Sequence, residues 1–366
     1  MTINEITEFF QTIAPSSLQE DYDNSGLIIG DPSRICLGIL VSLDVTEEIV
    51  LEAKERGCNL VISHHPIVFK GLKTFTGKNY VERSVISAIK NDIAIYAIHT
   101  NLDNVMVGVN KKIAEKLLLT HCKSLSPKTG VLKKLVTFCP QSSAEEVRSA
   151  LFEAGAGDIG NYSECSFNIQ GEGTFKPGKG SDPYVGEYGK LHTEDETRIE
   201  VIFPGYLQNQ LVKHLKDIHP YEEVAYYISV VENEWQEVGS GLIGELEEEM
   251  TESNFLHLLK EKFKLSVIRH TSLLGKPIKK VALCGGSGFF LLNQAKALGA
   301  QVYVTGDVKY HEFFDADGKI LLADIGHYES EQFTIDLIID FLKEKYVNFA
   351  VLKTKINTNP INYHLG

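Results

Sequence analysis

The chain has 366 residues, 43% of them hydrophobic and 23% charged, with a formal net charge of −13. That is the profile of a globular protein of two or three domains, and the acidic balance argues against a protein that grips nucleic acid through a broad basic face. No apolar run approaches the roughly 18 residues of a membrane span.

The opening segment "MTINEITEFFQTIAP" has Glu among its apolar residues and no basic start, so it reads as an amphipathic helix and not a signal peptide. "ICLGILVSLD" (35–44) is a nearly continuous apolar run, as a strand buried on both faces requires. "VTEEIVLEAKERG" carries helical spacing at Val45, Ile49, Val50 and Ala53, with Gly57 as a stop. "CNLVIS" (58–63) predicts a second strand and delivers His64 and His65. A helix over 80–91, a strand from 93 running into a polar loop by 104, and a helix over 108–119 follow. This βαβαβα order predicts a mostly parallel sheet flanked by helices.

The middle third has a different rhythm. Strands over 133–140, 161–175, 197–204 and 224–232 alternate with helices over 143–157 and 206–219, the first with a Ser cap. The βαββαβ order is the ferredoxin-like α+β unit. "SLSPKTG" (124–130) and "ENEWQEVGSG" (232–241) read as linkers around it. The expected organisation is therefore 1–129 and 236–366 as two halves of one α/β domain, with 130–235 inserted between them. The final third resumes the α/β style, with strands over 279–284, 301–307, 319–327 and 347–355 and one long amphipathic helix over 328–346.

Six cysteines (36, 58, 122, 139, 165, 284) are scattered with no close pair. That spacing fits neither a disulfide framework nor a CxxC site, and predicts a reduced, cytoplasmic protein.

In open α/β sheets, ligands bind at the carboxyl ends of the strands. Those ends carry Asp44, then His64 and His65, then His99 to Asp103, then Gly285 to Gly288, then Thr305 to Asp307, then His327. His327 stands four residues before Glu331, so on a helix the two share a face. Three His with Asp103 and Glu331 suit two divalent cations bridged by a carboxylate and water. Imidazole with carboxylate favours zinc, then iron or manganese, over magnesium or calcium. Such a pair lowers the pKa of a bridging water from about 15.7 toward 7 and so makes hydroxide at neutral pH. Each signal also has a plainer reading: a solvated His pair, an Asx turn at Asp103, an N-cap at Asp44 with Glu47 three residues on, a tight turn at "GGSGF". Their convergence on one sheet edge is what favours the metal.

The stretches "DYDNSGL" (21–27), "ISHHPIVFKG" (62–71), "HTNLDN" (99–104), "GGSG" (285–288), "TGDVKYHEF" (305–313), "GHYESE" (326–331) and "TNPI" (358–361) together resemble the family called GTP cyclohydrolase I type 2, or NIF-three-like. The resemblance implies two metals, with His65 and Asp103 on one, His64 and His327 on the other, and Glu331 bridging both. It implies a homohexamer and an insert similar to the PII and CutA domains. His99 and His311 resemble groups that face the substrate or support the ligands. The activity implied is hydrolysis of a nucleotide or related small molecule, by ring opening with formate release or, alternatively, as a phosphoesterase. The other reading is a non-enzymatic, metal-dependent regulator or metallochaperone.

Overall fold

The computed structural model describes residues 1–364. The chain forms two compact units, one made of Met1–Pro127 and the segment from Glu237 onward, the other of Lys128–Gln236.

The first unit contains two sheets. One has five strands in the order Gly26–Ile29, Ala94–Ala97, Leu60–Ser63, Ile39–Ser42, Val351–Lys353. Four of these run parallel, and Gly26–Ile29 is an antiparallel edge. The three central strands are buried at every residue, which accounts for their largely apolar sequences. Leu40, Val61 and Ile95 pack against Ile49, Val50, Ala53 and Ala88 of helices Glu47–Glu55 and Tyr80–Asn91. Side chains fix where these helices start: Thr46 Oγ1 accepts from the Ile49 amide and Asn79 Oδ1 from the Glu82 amide.

The other sheet has six strands, ordered Arg269–His270, Leu321–Asp324, Val302–Thr305, Ile278–Leu283, Trp235–Met250, Thr120–Lys128. Its parallel centre is Ile278–Leu283, Val302–Thr305 and Leu321–Asp324, and antiparallel strands flank it on both sides. Ala282, Tyr303 and Leu322 form its core with Leu291, Leu292 and Ala295.

Several expectations change here. The two stretches expected as linkers lie largely in strands, Thr120–Lys128 and Trp235–Met250, which neighbour one another in the sheet. Leu125, Val238 and Leu242 are buried there, among Gly, Ser and Pro that suggest loops to a local reading. The helix expected over 328–346 is two helices, His327–Glu331 and Thr334–Lys345. Asp103 stands on a one-turn helix, Thr100–Asp103, and not in a loop. The last strand, Val351–Lys353, joins the first sheet beside Ile39–Ser42.

The second unit runs strand Leu132–Pro140, helix Ala144–Glu153, strands Phe167–Phe175 and His192–Pro204, helix Gln208–Ile218 and strand Tyr226–Val230. Its strands pair antiparallel, with His192–Pro204 and Tyr226–Val230 on either side of Leu132–Pro140 and Phe167–Phe175 at the edge. Ile199, Val201 and Phe203 meet Val147, Leu151, Leu211 and Leu215 from the helices on one face. The Ser cap expected on the first helix is not made: Ser143 ends a 3-10 turn and its side chain caps nothing.

Candidate metal centre

Strand Leu60–Ser63 ends at the histidine pair, and successive residues of an extended chain project to different sides. His64 is fully buried, and its Nδ1 lies 2.8 Å from the Ile98 carbonyl. His65 places Nδ1 2.7 Å from Oδ1 of Asp44. His327 places Nδ1 2.7 Å from Oδ2 of Asp307, and His99 places Nδ1 2.7 Å from Oδ1 of Asp23. Four imidazoles therefore each commit Nδ1 to a carboxylate or carbonyl. A metal-binding histidine is held the same way: the outer bond fixes ring and tautomer and turns Nε2 to the ion.

The Nε2 atoms of His64, His65 and His327 converge on Glu331. Its Oε2 lies 3.0 Å from His65 Nε2 and 3.1 Å from His327 Nε2, and those two nitrogens are 3.3 Å apart. Its Oε1 lies 3.8 Å from His64 Nε2, which is 3.6 Å from Asp103 Oδ1. Two triads result, His65 with His327 and Glu331, and His64 with Asp103 and Glu331; a third set joins His64, His65 and His99. Within each, the donor atoms lie within 4.8 Å of one another, close enough to hold a metal ion. The grouping differs from the one implied by family resemblance: His64 sits with Asp103 and His65 with His327. The anchors explain it, since the Ile98 carbonyl turns His64 toward the helix carrying Asp103, while Asp44 turns His65 toward Glu331 Oε2.

The fit to a cation is visible in two atoms. His64 Nε2 and Asp103 Oδ1 are buried and have no hydrogen-bond partner, an expensive arrangement unless an ion engages both. Burial and the charge of Glu331 push the Asp103 carboxyl up to about 7. Burial also opposes the charge on Glu331, but His327, His64 and His65 together hold its carboxyl well below the usual range. Against the effect of burial, bonds to Asp44 and Glu331 raise the His65 imidazole to about 10, and Glu331 with Asp307 raises His327 to about 11.

The second sheet makes room for this. A Cβ on Gly286, which has φ +60°, would lie 2.3 Å from Glu331 Oε1. Only glycine fits that conformation and that approach without strain. The "GGSG" turn is thus a cradle for the carboxylate, and its Gly286 amide donates to Ser330 Oγ at 2.9 Å.

Of the residues singled out from sequence, His64, His65, His99, Asp103, His327 and Glu331 come together. His311 does not: it is exposed on the turn Tyr310–Ala316, where its ring stacks on Phe314. Sequence reasoning missed Asp23, whose carboxylate also accepts from the Thr100 amide and hydroxyl, and Thr358, which donates to Asp44 Oδ2 at 2.6 Å. Both lie in stretches that carry the family resemblance, 21–27 and 358–361, but neither stands at a strand end, so the strand-end rule passed them over.

The chain matches the model of the Duf34/NIF3 (NGG1p interacting factor 3) family over residues 1–360. It belongs to that family. NIF3 relatives include the "GTP cyclohydrolase 1 type 2 homolog" of Halalkalibacterium halodurans, 38% identical over 364 residues, and that of Bacillus subtilis, 37% identical over 364 residues, each match covering 98% of both chains. Among solved structures, a Bacillus cereus protein related to NIF3 superposes with a TM-score of 0.87 at 38% identity, covering 100% of this chain and 99% of its own. The fold of this NIF3 member is accordingly that of helix-flanked α/β sheets.

A cavity of about 700 Å³ opens beside the centre, with Tyr22, Phe69, Phe290 and Tyr328 among its walls. Glu20, Asp44, Asp103 and Glu331 line it too, and among the described residues no Lys or Arg does. Cys284 also faces it, and burial raises its thiol far above its ordinary range. Among the described residues no helix is long and apolar enough to cross a membrane.

Proposed function

We propose that the protein is a dinuclear metal hydrolase acting on a small molecule with a flat ring, a nucleotide or a relative of one. The observation that carries this reading is the buried, unpartnered pair His64 Nε2 and Asp103 Oδ1 facing one oxygen of Glu331, while His65 and His327 face the other. In this reading His64 and Asp103 would hold one cation and His65 and His327 the second, with Glu331 shared between the two triads. Imidazole with carboxylate favours zinc, with iron or manganese next. Two such ions supply activated water at neutral pH.

The chain's own residues orient and shield. Asp44, Asp307 and the Ile98 carbonyl lock the imidazoles. His99, held by Asp23, turns its free nitrogen toward the centre and is placed to exchange a proton with a bound substrate. Tyr22 and Phe69, with ring centroids 6.2 Å apart, form one wall for a planar ring. The names of the relatives support a nucleotide substrate. Among the described residues the lining offers no Lys or Arg for a polyphosphate tail, which favours the base or nucleoside as the recognised part. The homohexamer belongs to this reading and is tested by the mass of the protein in solution.

The decisive experiment pairs anomalous scattering at several metal edges with turnover of a base, nucleoside and nucleotide panel by metal-loaded protein. Formate release marks ring opening and phosphate release marks a phosphoesterase. Two metals without turnover of any panel member would sink the hydrolase reading in favour of a metal-dependent regulator or carrier.

A further inference from the structure

The second unit has a cavity of its own, about 620 Å³, lined wholly by residues between 138 and 227. Such a volume suits a small organic molecule. It lies on the sheet face opposite the helices: Ile199, Val201 and Phe203 point into the core, while Glu196 and Arg198, of the opposite parity, line the cavity.

Its walls are aromatic. Phe175 and Tyr221 have ring centroids 5.9 Å apart, Tyr221 and Tyr184 6.2 Å. Between them the Glu196 carboxylate is held in place. Tyr221 Oη donates to Glu196 Oε1 at 2.9 Å. The other oxygen, Oε2, lies over Gly173, where an added Cβ would come within 2.1 Å of it. Gly173 does not have a positive φ, so what glycine provides there is room for the carboxylate in its present place and not a backbone conformation. The rim is closed by a further tie, the Asp182 amide donating to Glu222 Oε1 at 2.9 Å.

Charge decides the ligand class. Glu172, Glu196, Glu222 and Glu223 line the cavity against Lys176 and Arg198, and Arg198 is paired with Glu200 at 2.5 Å. A carboxylate among electron-rich ring faces attracts a cation and repels an anion. We propose that the inserted unit carries a separate binding pocket for a small organic cation, a protonated amine or guanidinium on an apolar body, with Glu196 as its counter-ion and Phe175, Tyr184 and Tyr221 as its walls. This pocket is distinct from the metal centre, whose residues all lie in the other unit.

The test is calorimetric titration of the full-length protein with three probes that share one body: phenethylamine, 2-phenylethanol and 3-phenylpropionate. Phenethylamine is expected to bind saturably, one per chain, and the neutral and anionic probes at least tenfold more weakly. Glu196→Gln should weaken the amine at least tenfold while leaving metal content and thermal midpoint in place. Gly173→Ala, which displaces the carboxylate without touching it chemically, should do the same. Equal binding of the three probes, amine affinity unchanged in both variants, or no binding of any probe would each overturn the proposal.

Discussion

Oδ1 of Asp44 lies 2.7 Å from Nδ1 of His65, while the helix that follows Asp44 is capped by Thr46. A residue in an N-cap-like position therefore serves the metal centre instead. Thr358, from the far end of the chain, donates to its second oxygen. Asp44→Asn keeps the shape and removes the charge that supports His65. Its expected effect is a 10–100-fold loss of affinity for the cation held by His65 and His327, with the His64–Asp103 cation retained. Competition with a chromophoric chelator measures both steps.

The grouping of the triads gives a sharper test. His65→Ala and His327→Ala should deplete the same metal, and His64→Ala and Asp103→Ala the other. Glu331→Ala should lower both, because its two oxygens face different triads. Metal per chain by elemental analysis distinguishes these outcomes. Two full equivalents in the Glu331 variant would remove it from the bridge.

Cation binding is expected to release protons. The carboxylates around His65 and His327 raise their imidazoles from 6.5 to about 10 and about 11, so at pH 7 both rings carry a proton that a metal at Nε2 must displace. Apparent affinity therefore rises with pH up to that window and falls as pH drops. Calorimetry of metal uptake at pH 7 in buffers of different ionisation enthalpy should show net proton release; enthalpies independent of buffer would contradict it.

Glu82 provides a stability prediction away from the centre. Its carboxylate accepts from the Thr74 and Thr76 hydroxyls and the Thr76 and Lys78 amides, so it pins the segment that follows the histidine pair. Despite some opposition from burial, those bonds hold its carboxyl near 2, below the ordinary 4.5. Its contribution is thus complete above pH 4.5 and lost as pH falls toward 2. Glu82→Gln should lower the thermal midpoint at neutral pH and speed proteolysis within 71–79. The gap from the native protein should close as pH approaches 2.

Much of this was legible along the chain. The largely apolar runs at 39–42, 60–63 and 94–97 announce buried parallel strands, because burial on both faces favours apolar side chains at every position. The carboxyl-end rule then singles out His64, His65, Asp103 and His327, and the i to i+4 spacing adds Glu331. Local pattern fails where a strand carries turn-like residues, Ser and Pro at 120–128 and Gly at 235–250, since pairing with neighbours far along the chain, and not propensity, makes those strands.

What sequence alone determined was the set of donor types and their place at strand ends, since strand period and helix spacing are local properties of the backbone. The single edge expected for them is in fact the strand ends of two sheets, His64, His65 and His99 following strands of one and His327 with Glu331 a strand of the other. The tertiary structure decided which donors stand together in each triad. That choice rests on the outer bonds of the imidazoles, to Ile98, Asp44, Asp307 and Asp23. Asp44 and Asp23 are far from their histidines in sequence, and each ring turns according to a partner that only the folded chain brings within hydrogen-bond reach.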